Sequence, residues 1–226
     1  MSHERRNTVE PFEIRSNEQD GLTAVGYGAV FGKLSQNLGG FVEQIDSRAF
    51  NKSLGDGEDV RALFNHDPNM LLGRVGAGTL RMGADSHGLR YEIDLPDTPT
   101  GIEVAKLLER GDLSGSSFGF RAISDSWGQT EEGYPLRTLE SLSVRDVGPV
   151  TFPAYPDSDA ALRSLAEHRS VDLADVAAAA KRNELSQLIS EEPQTVETPD
   201  EDPEQAPDED SPTGILSHER TFGHIR

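Results

Sequence analysis

Between residues 10 and 165 the sequence is broken every few positions by Gly, Asp or Asn, and the apolar runs between the breaks have the length and pattern of β-strands. Leu22-Thr-Ala-Val-Gly-Tyr-Gly-Ala-Val-Phe31, Val60-Arg-Ala-Leu-Phe64 and Gly88-Leu-Arg-Tyr-Glu-Ile-Asp-Leu95 are such runs, and residues 118–123 and 137–152 supply two more. In the third run Leu89, Tyr91, Ile93 and Leu95 alternate with polar neighbours, the period of a strand buried on one face. Short strands recurring in this way predict an α+β, mainly β fold, closed or nearly closed into a barrel and flanked by helices. Thr100 and Glu103 have capping-box spacing, which predicts a helix running through Val104, Ala105, Leu107 and Leu108 to stop near Gly111. A shorter helix is expected at residues 47–54. Residues 171–189, rich in Ala and Leu, read as a third helix that packs on the strands, so 166–189 is set apart as a C-terminal helical segment.

The ends differ from this middle. Residues 1–9 read as a flexible N-terminus. Residues 190–212 hold ten acidic residues and five prolines with no Lys or Arg, and so supply −10 of the net charge of −19. Such a segment cannot bury enough apolar surface to offset its ordering entropy and is expected to be a disordered acidic tail. Residues 213–226 regain apolar and basic side chains, as a short docking peptide would. A chain this acidic is a poor partner for nucleic acid, because phosphate binding needs clustered Lys and Arg. Neither a signal-peptide core nor a run of 18 apolar residues occurs, so the expectation is a soluble cytoplasmic protein with no membrane partner.

Cysteine is absent, which removes disulfides, thiolate nucleophiles and cysteine-held metals. No His-x-His, His-Glu-x-x-His, EF-hand or phosphate-loop spacing occurs, and no metal or cofactor is expected. What remains is a serine activated by a histidine. Of the six histidines, His3, His218 and His224 lie near the ends, His168 in a polar joint and His87 in the hairpin turn Asp85-Ser-His-Gly88. His66 differs, because it follows an apolar strand and opens the turn Asn65-His-Asp-Pro68. Ser117 lies between Gly115 and Gly119 in a Gly-x-Ser-x-Gly pattern. In an α/β-hydrolase that pattern should lead into a helix with the histidine downstream; here a strand follows and the histidine is upstream, so the hydrolase reading fails.

These residues sit within a longer series. It runs through Gly26-Tyr-Gly-Ala-Val-Phe31, Leu38-Gly-Gly-Phe-Val-Glu43, Val60-Arg-Ala-Leu-Phe-Asn-His-Asp67, Leu72-Gly-Arg74 and Gly78-Thr-Leu80. It continues with Arg110-Gly-Asp-Leu-Ser-Gly-Ser-Ser-Phe-Gly-Phe120 and Val150-Thr-Phe-Pro-Ala-Tyr-Pro156. In this order, over residues 10–165, the series resembles the prohead maturation proteases of tailed bacteriophages, serine proteases related in fold to herpesvirus assemblin. The resemblance implies an assemblin-like barrel, a homodimer and no cofactor. It places the histidine on His66, the serine on Ser117 and the acidic member on Asp146, with Glu140 as the alternative. Asp146 stands where Glu is common, and Gly148-Pro149 is expected to interrupt the strand there. The implied activity is an endopeptidase that cleaves the scaffold protein, or a scaffold-like segment of the major capsid protein, and also itself. Its implied place is the assembling procapsid in the bacterial host cytoplasm. The other readings are a catalytically inactive scaffolding or internal capsid protein with the same fold, and a serine esterase.

Overall fold

The computed structural model describes residues 3–16, 21–152 and 159–190. The expected acidic tail beyond Ser190, the docking peptide at 213–226 and the last four residues of the 150–156 motif lie outside them. Ten strands and five helices occur among the described residues. β1 (Glu4–Val9), β9 (Gly115–Gln129), β10 (Pro135–Val150), β5 (Arg61–Leu63) and β6 (Leu71–Arg74) form one sheet in that order, and β4 (Val42–Ile45) joins it by pairing with β10. β2 (Glu13–Ser16), β3 (Leu22–Val30), β8 (Gly88–Asp94) and β7 (Leu80–Ala84) form a second, antiparallel sheet. The architecture is therefore α+β and mainly β, as expected. Among the described residues the strands pair into two sheets, neither of which is closed into a barrel.

The alternation read in the sequence is real. Leu89, Tyr91 and Ile93 of β8 point into the core while Arg90, Glu92 and Asp94 face outward. They meet Phe118, Phe120, Leu142, Val144 and Val147 of the first sheet in one apolar cluster. Removing such side chains from water stabilises by roughly 1.5–3 kcal/mol each. The Tyr91 hydroxyl crosses this layer to the Ser116 hydroxyl, joining β8 to β9 one residue before Ser117. Ser116 is thus part of the core.

Several boundaries move. The first long helix, α2 (Pro99–Glu109), is capped by Thr98 rather than Thr100: the Thr98 side chain accepts from the Gly101 amide at 3.3 Å. Pro99 then takes the first helical position, where its missing amide costs nothing. The short helix is α1 (Asn51–Gly55). The single helix expected over 171–189 is broken into α4 (Leu173–Lys181) and α5 (Leu185–Ser190), and α3 (Asp159–Arg169) precedes them. Ser170 and Asn183 take left-handed φ of 53° and 56° at the two breaks, and Asp172 caps α4. These helices pack with Leu38, Phe41 and Trp127 in a second apolar cluster.

The largest correction is at the N-terminus. Residues 4–9, expected to be flexible, form β1 and pair antiparallel with β9 from Glu4↔Phe120 to Val9↔Gly115. The strand carries few apolar anchors. Its inward side chains, Glu4 and Arg6, are instead buried charges held by groups far away in sequence. Glu4 accepts from Arg137 at 2.7 and 3.1 Å, and Arg6 donates to Glu43 at 2.7 and 2.9 Å. Arg6 also reaches Glu4 at 2.8 Å, and Arg137 reaches Glu43 at 3.0 Å and, beyond it, Asp125. Buried charge is tolerated only when paired and hydrogen-bonded like this.

Candidate active site

β5 lies parallel to β10 at Asp146 and Val147, and its end carries the chain into a one-turn 3-10 helix, Phe64–His66. Asn65 and His66 both have left-handed φ, 55° and 56°. Asn accepts that conformation readily; for His it stores on the order of 1–3 kcal/mol and must be held by its surroundings. The clamp is Asn65, whose side chain accepts from the Thr151 amide at 2.8 Å and donates to the Thr151 hydroxyl at 3.1 Å. The turn is thereby fastened to the end of β10, and His66 is aimed along that strand.

Gly148 explains why the turn can lie so close. A Cβ there would stand 2.2 Å from the Leu63 carbonyl oxygen. Gly148-Pro149 does not interrupt the strand: β10 continues to Val150, and Pro149 sits opposite Ser116, past the residues that pair with β5. The missing proline amide therefore breaks no pairing with β5.

Asp146 reaches the site through a β-bulge. Val144 pairs with Phe120 and Asp146 with Gly119, so Arg145 is an extra residue on β10. In an unbroken strand residues 144 and 146 share a face. The bulge turns Asp146 to the opposite face from Val144, away from the core, as bulges near functional sites commonly do. Gly119 leaves room for the carboxylate, since a Cβ on it would lie 2.5 Å from Asp146 Oδ2.

These features bring together the three residues expected from sequence. His66 Nε2 is 2.7 Å from Ser117 Oγ, and His66 Nδ1 bonds to Asp146 Oδ1. Nδ1 donates to the carboxylate, which leaves the Nε2 lone pair for the serine proton. Glu140, the alternative acid, is exposed elsewhere on β10 and is not part of this cluster. Arg137 is committed to the buried ion pairs, and Arg121 lines a hollow beside α3. Arg145 lines a hollow of about 240 Å³ that also borders His66, Asp146 and Gly119.

Sequence reasoning missed what lies over the serine. Ser117 lies within β9, not at its entrance, and has no exposed surface. β1 runs alongside it, and Ser117 Oγ also lies 2.9 Å from the Arg6 carbonyl oxygen, to which it can donate. A hydroxyl has one proton, so the Arg6 carbonyl and His66 Nε2 compete for it. No periodicity or motif in the polar run Glu4-Arg-Arg-Asn-Thr-Val9 signals this role.

Two comparisons with known proteins find a likeness. A family model described as caudovirus prohead serine protease matches residues 10–171. Among solved structures, the chain is similar to the bacteriophage T4 capsid assembly protease, gp21, at 16% identity and a TM-score of 0.48, over 67% of this chain and 98% of that one. No curated protein matches.

Proposed function

Since the chain belongs to the caudovirus prohead serine proteases, the proteases of phage head maturation, we propose that it is a serine endopeptidase whose catalytic residues are Ser117, His66 and Asp146. The observation that carries this is the 2.7 Å contact between His66 Nε2 and Ser117 Oγ, with Asp146 on the other ring nitrogen. Neutral His66 takes the Ser117 proton as Oγ attacks the scissile carbonyl, and Asp146 stabilises the imidazolium that forms. His66 then gives that proton to the leaving amine, and the acyl-serine is hydrolysed by water activated in the same way.

In this reading the substrates are the scaffold protein, or a scaffold-like segment of the major capsid protein, and the enzyme itself. The enzyme works as a homodimer inside the assembling procapsid. The covered serine adds a condition: β1 must leave its place on β9 before any peptide can reach Oγ. Its departure also frees the backbone amides and carbonyls on that edge of β9, which an extended substrate can pair with. Co-expression with the cognate capsid and scaffold proteins tests the proposal. The native chain is expected to shorten one of them and Ser117→Ala to shorten neither. Equal shortening by both would remove Ser117 from the role.

A further inference from the structure

β1 occupies the edge of β9 beside Ser117, and the backbone carbonyl of Arg6 is in contact with Oγ, at 2.9 Å. A peptide lying in the same place presents its carbonyl to the serine from the residue that stands where Arg6 does. That residue and the one two before it face away from His66, into a charged environment belonging to the rest of the chain. At the Arg6 position the facing group is Glu43, 3% exposed; at the Glu4 position it is Arg137, 1% exposed. The Phe120 ring lies 5.5 Å from the Arg6 guanidinium carbon, a further attraction for a planar cation. A hollow of about 400 Å³ beside them, bordered by Glu43, Phe118, Gly28 and Leu34, leaves room for side chains other than those of β1.

We infer that Glu43 and Arg137 are specificity-determining residues. The substrate strand then carries a basic residue just before the scissile bond and an acidic residue two positions earlier. This inference rests on the endopeptidase reading and adds the chemistry of the substrate to it. The physical reason is charge balance. With β1 gone, Glu43 and Asp125 share the single guanidinium of Arg137. An acid-x-base strand adds one carboxylate and one cation and restores every pair that β1 makes. A base-x-acid strand sets cation against cation and carboxylate against carboxylate in a water-poor site, and is rejected. The bond broken is the amide C–N after the basic residue. Water supplies hydroxyl to its carbonyl carbon and a proton to its nitrogen.

The test uses two peptides, one with the sequence of residues 3–9 and one with Glu4 and Arg6 exchanged. Binding is measured first to the full-length Ser117→Ala protein, which lacks the hydroxyl contact to Arg6 and so holds β1 less tightly. β1 competes with both peptides to the same extent, so the ratio of their affinities is free of it. The native-order peptide is expected to bind at least about tenfold more tightly, and Glu43→Gln to shrink that ratio. Equal binding, or binding of neither, overturns the assignment of Glu43 and Arg137. Cleavage by the native protein is then read by mass spectrometry, with the cut expected after the basic residue of the native-order peptide. Preserved binding order without cleavage leaves strand recognition standing and overturns the endopeptidase reading.

Discussion

Gly119 shows how much a single hydrogen atom decides at this site. Its place opposite Asp146 makes Gly119→Ala a test of positioning rather than of folding, because the backbone there is ordinary strand and only the carboxylate is in the way. The variant is expected to fold and to lose about 100-fold in kcat, the scale of loss that follows when a reacting group shifts by about an ångström. Steady-state kinetics beside a thermal melt check it, and an unchanged kcat would mean that Asp146 does not need its present place. The candidate triad was legible chiefly through the ordered motif series and its resemblance, since a histidine after an apolar strand and a serine between glycines are weak signals alone and neither points to Asp146. The geometry behind it was not. Period-2 reasoning puts Asp146 on the face of Val144, and only the extra residue Arg145 turns it over. The left-handed Asn65 and His66 are equally silent in sequence, since the residue to which Asn65 fastens the turn is Thr151, 86 residues away.

At the scale of elements, the strands that show apolar alternation were readable and the strand held by charge was not. β1 is anchored through Arg137, which joins β1, β4 and β9 to β10. Burial alone would lower the Arg137 pKa, but the Glu4, Glu43 and Asp125 carboxylates around it hold it firmly protonated. Asp125 is the reciprocal case: burial would raise it, but the Arg137 charge and the Ser164 hydroxyl hold it below the usual carboxylate range. A carboxylate depressed in the folded state contributes stability above its unfolded pKa and loses it as pH falls through the folded value. Arg137→Ala takes away the strongest of the influences that hold that carboxylate down, leaving the Ser164 hydroxyl and His168 against burial, so its pKa rises. The expected cost is about 3–5 kcal/mol at neutral pH. It should be smaller near about pH 5, where protonation relieves the stranded charge. Denaturant melts at both pH values decide the matter; an equal cost at each would mean that the charge is relieved by other means. The helices α3 to α5 were blurred in sequence for a simpler reason. Their breaks rest on the left-handed turns at Ser170 and Asn183, and neither Ser nor Asn marks such a turn reliably.

For the molecule as a whole, the described state is a closed one. The Asp146–His66–Ser117 hydrogen bonds are formed and the serine is covered, and in the proposed function opening is a local event that breaks the β1 pairing while β9 and β10 stay in the core. A serine-directed fluorophosphonate is therefore expected to label Ser117 slowly in the native chain. Arg6→Ala, which removes the contacts to Glu43 and Glu4, should speed labelling by about tenfold or more, since each lost charged hydrogen bond lowers the opening cost by about 1.5–3 kcal/mol. Equal rates would show that β1 is not the barrier. The sequence pointed to the three candidate residues but to nothing of this closure, because it depends on contacts such as Arg6 to Ser117, 111 residues apart.

That separation also bears on how the protein is made. β1 leaves the ribosome well before its pairing partner β9, and the arginine that neutralises Glu4 comes 133 residues later. At about 5–20 residues per second, that arginine emerges on the order of ten seconds or more after Glu4. Pairings of such long range are also the slow ones in folding. A strand made before β9 therefore cannot gain its full set of charge partners until Arg137, which follows β9, has emerged.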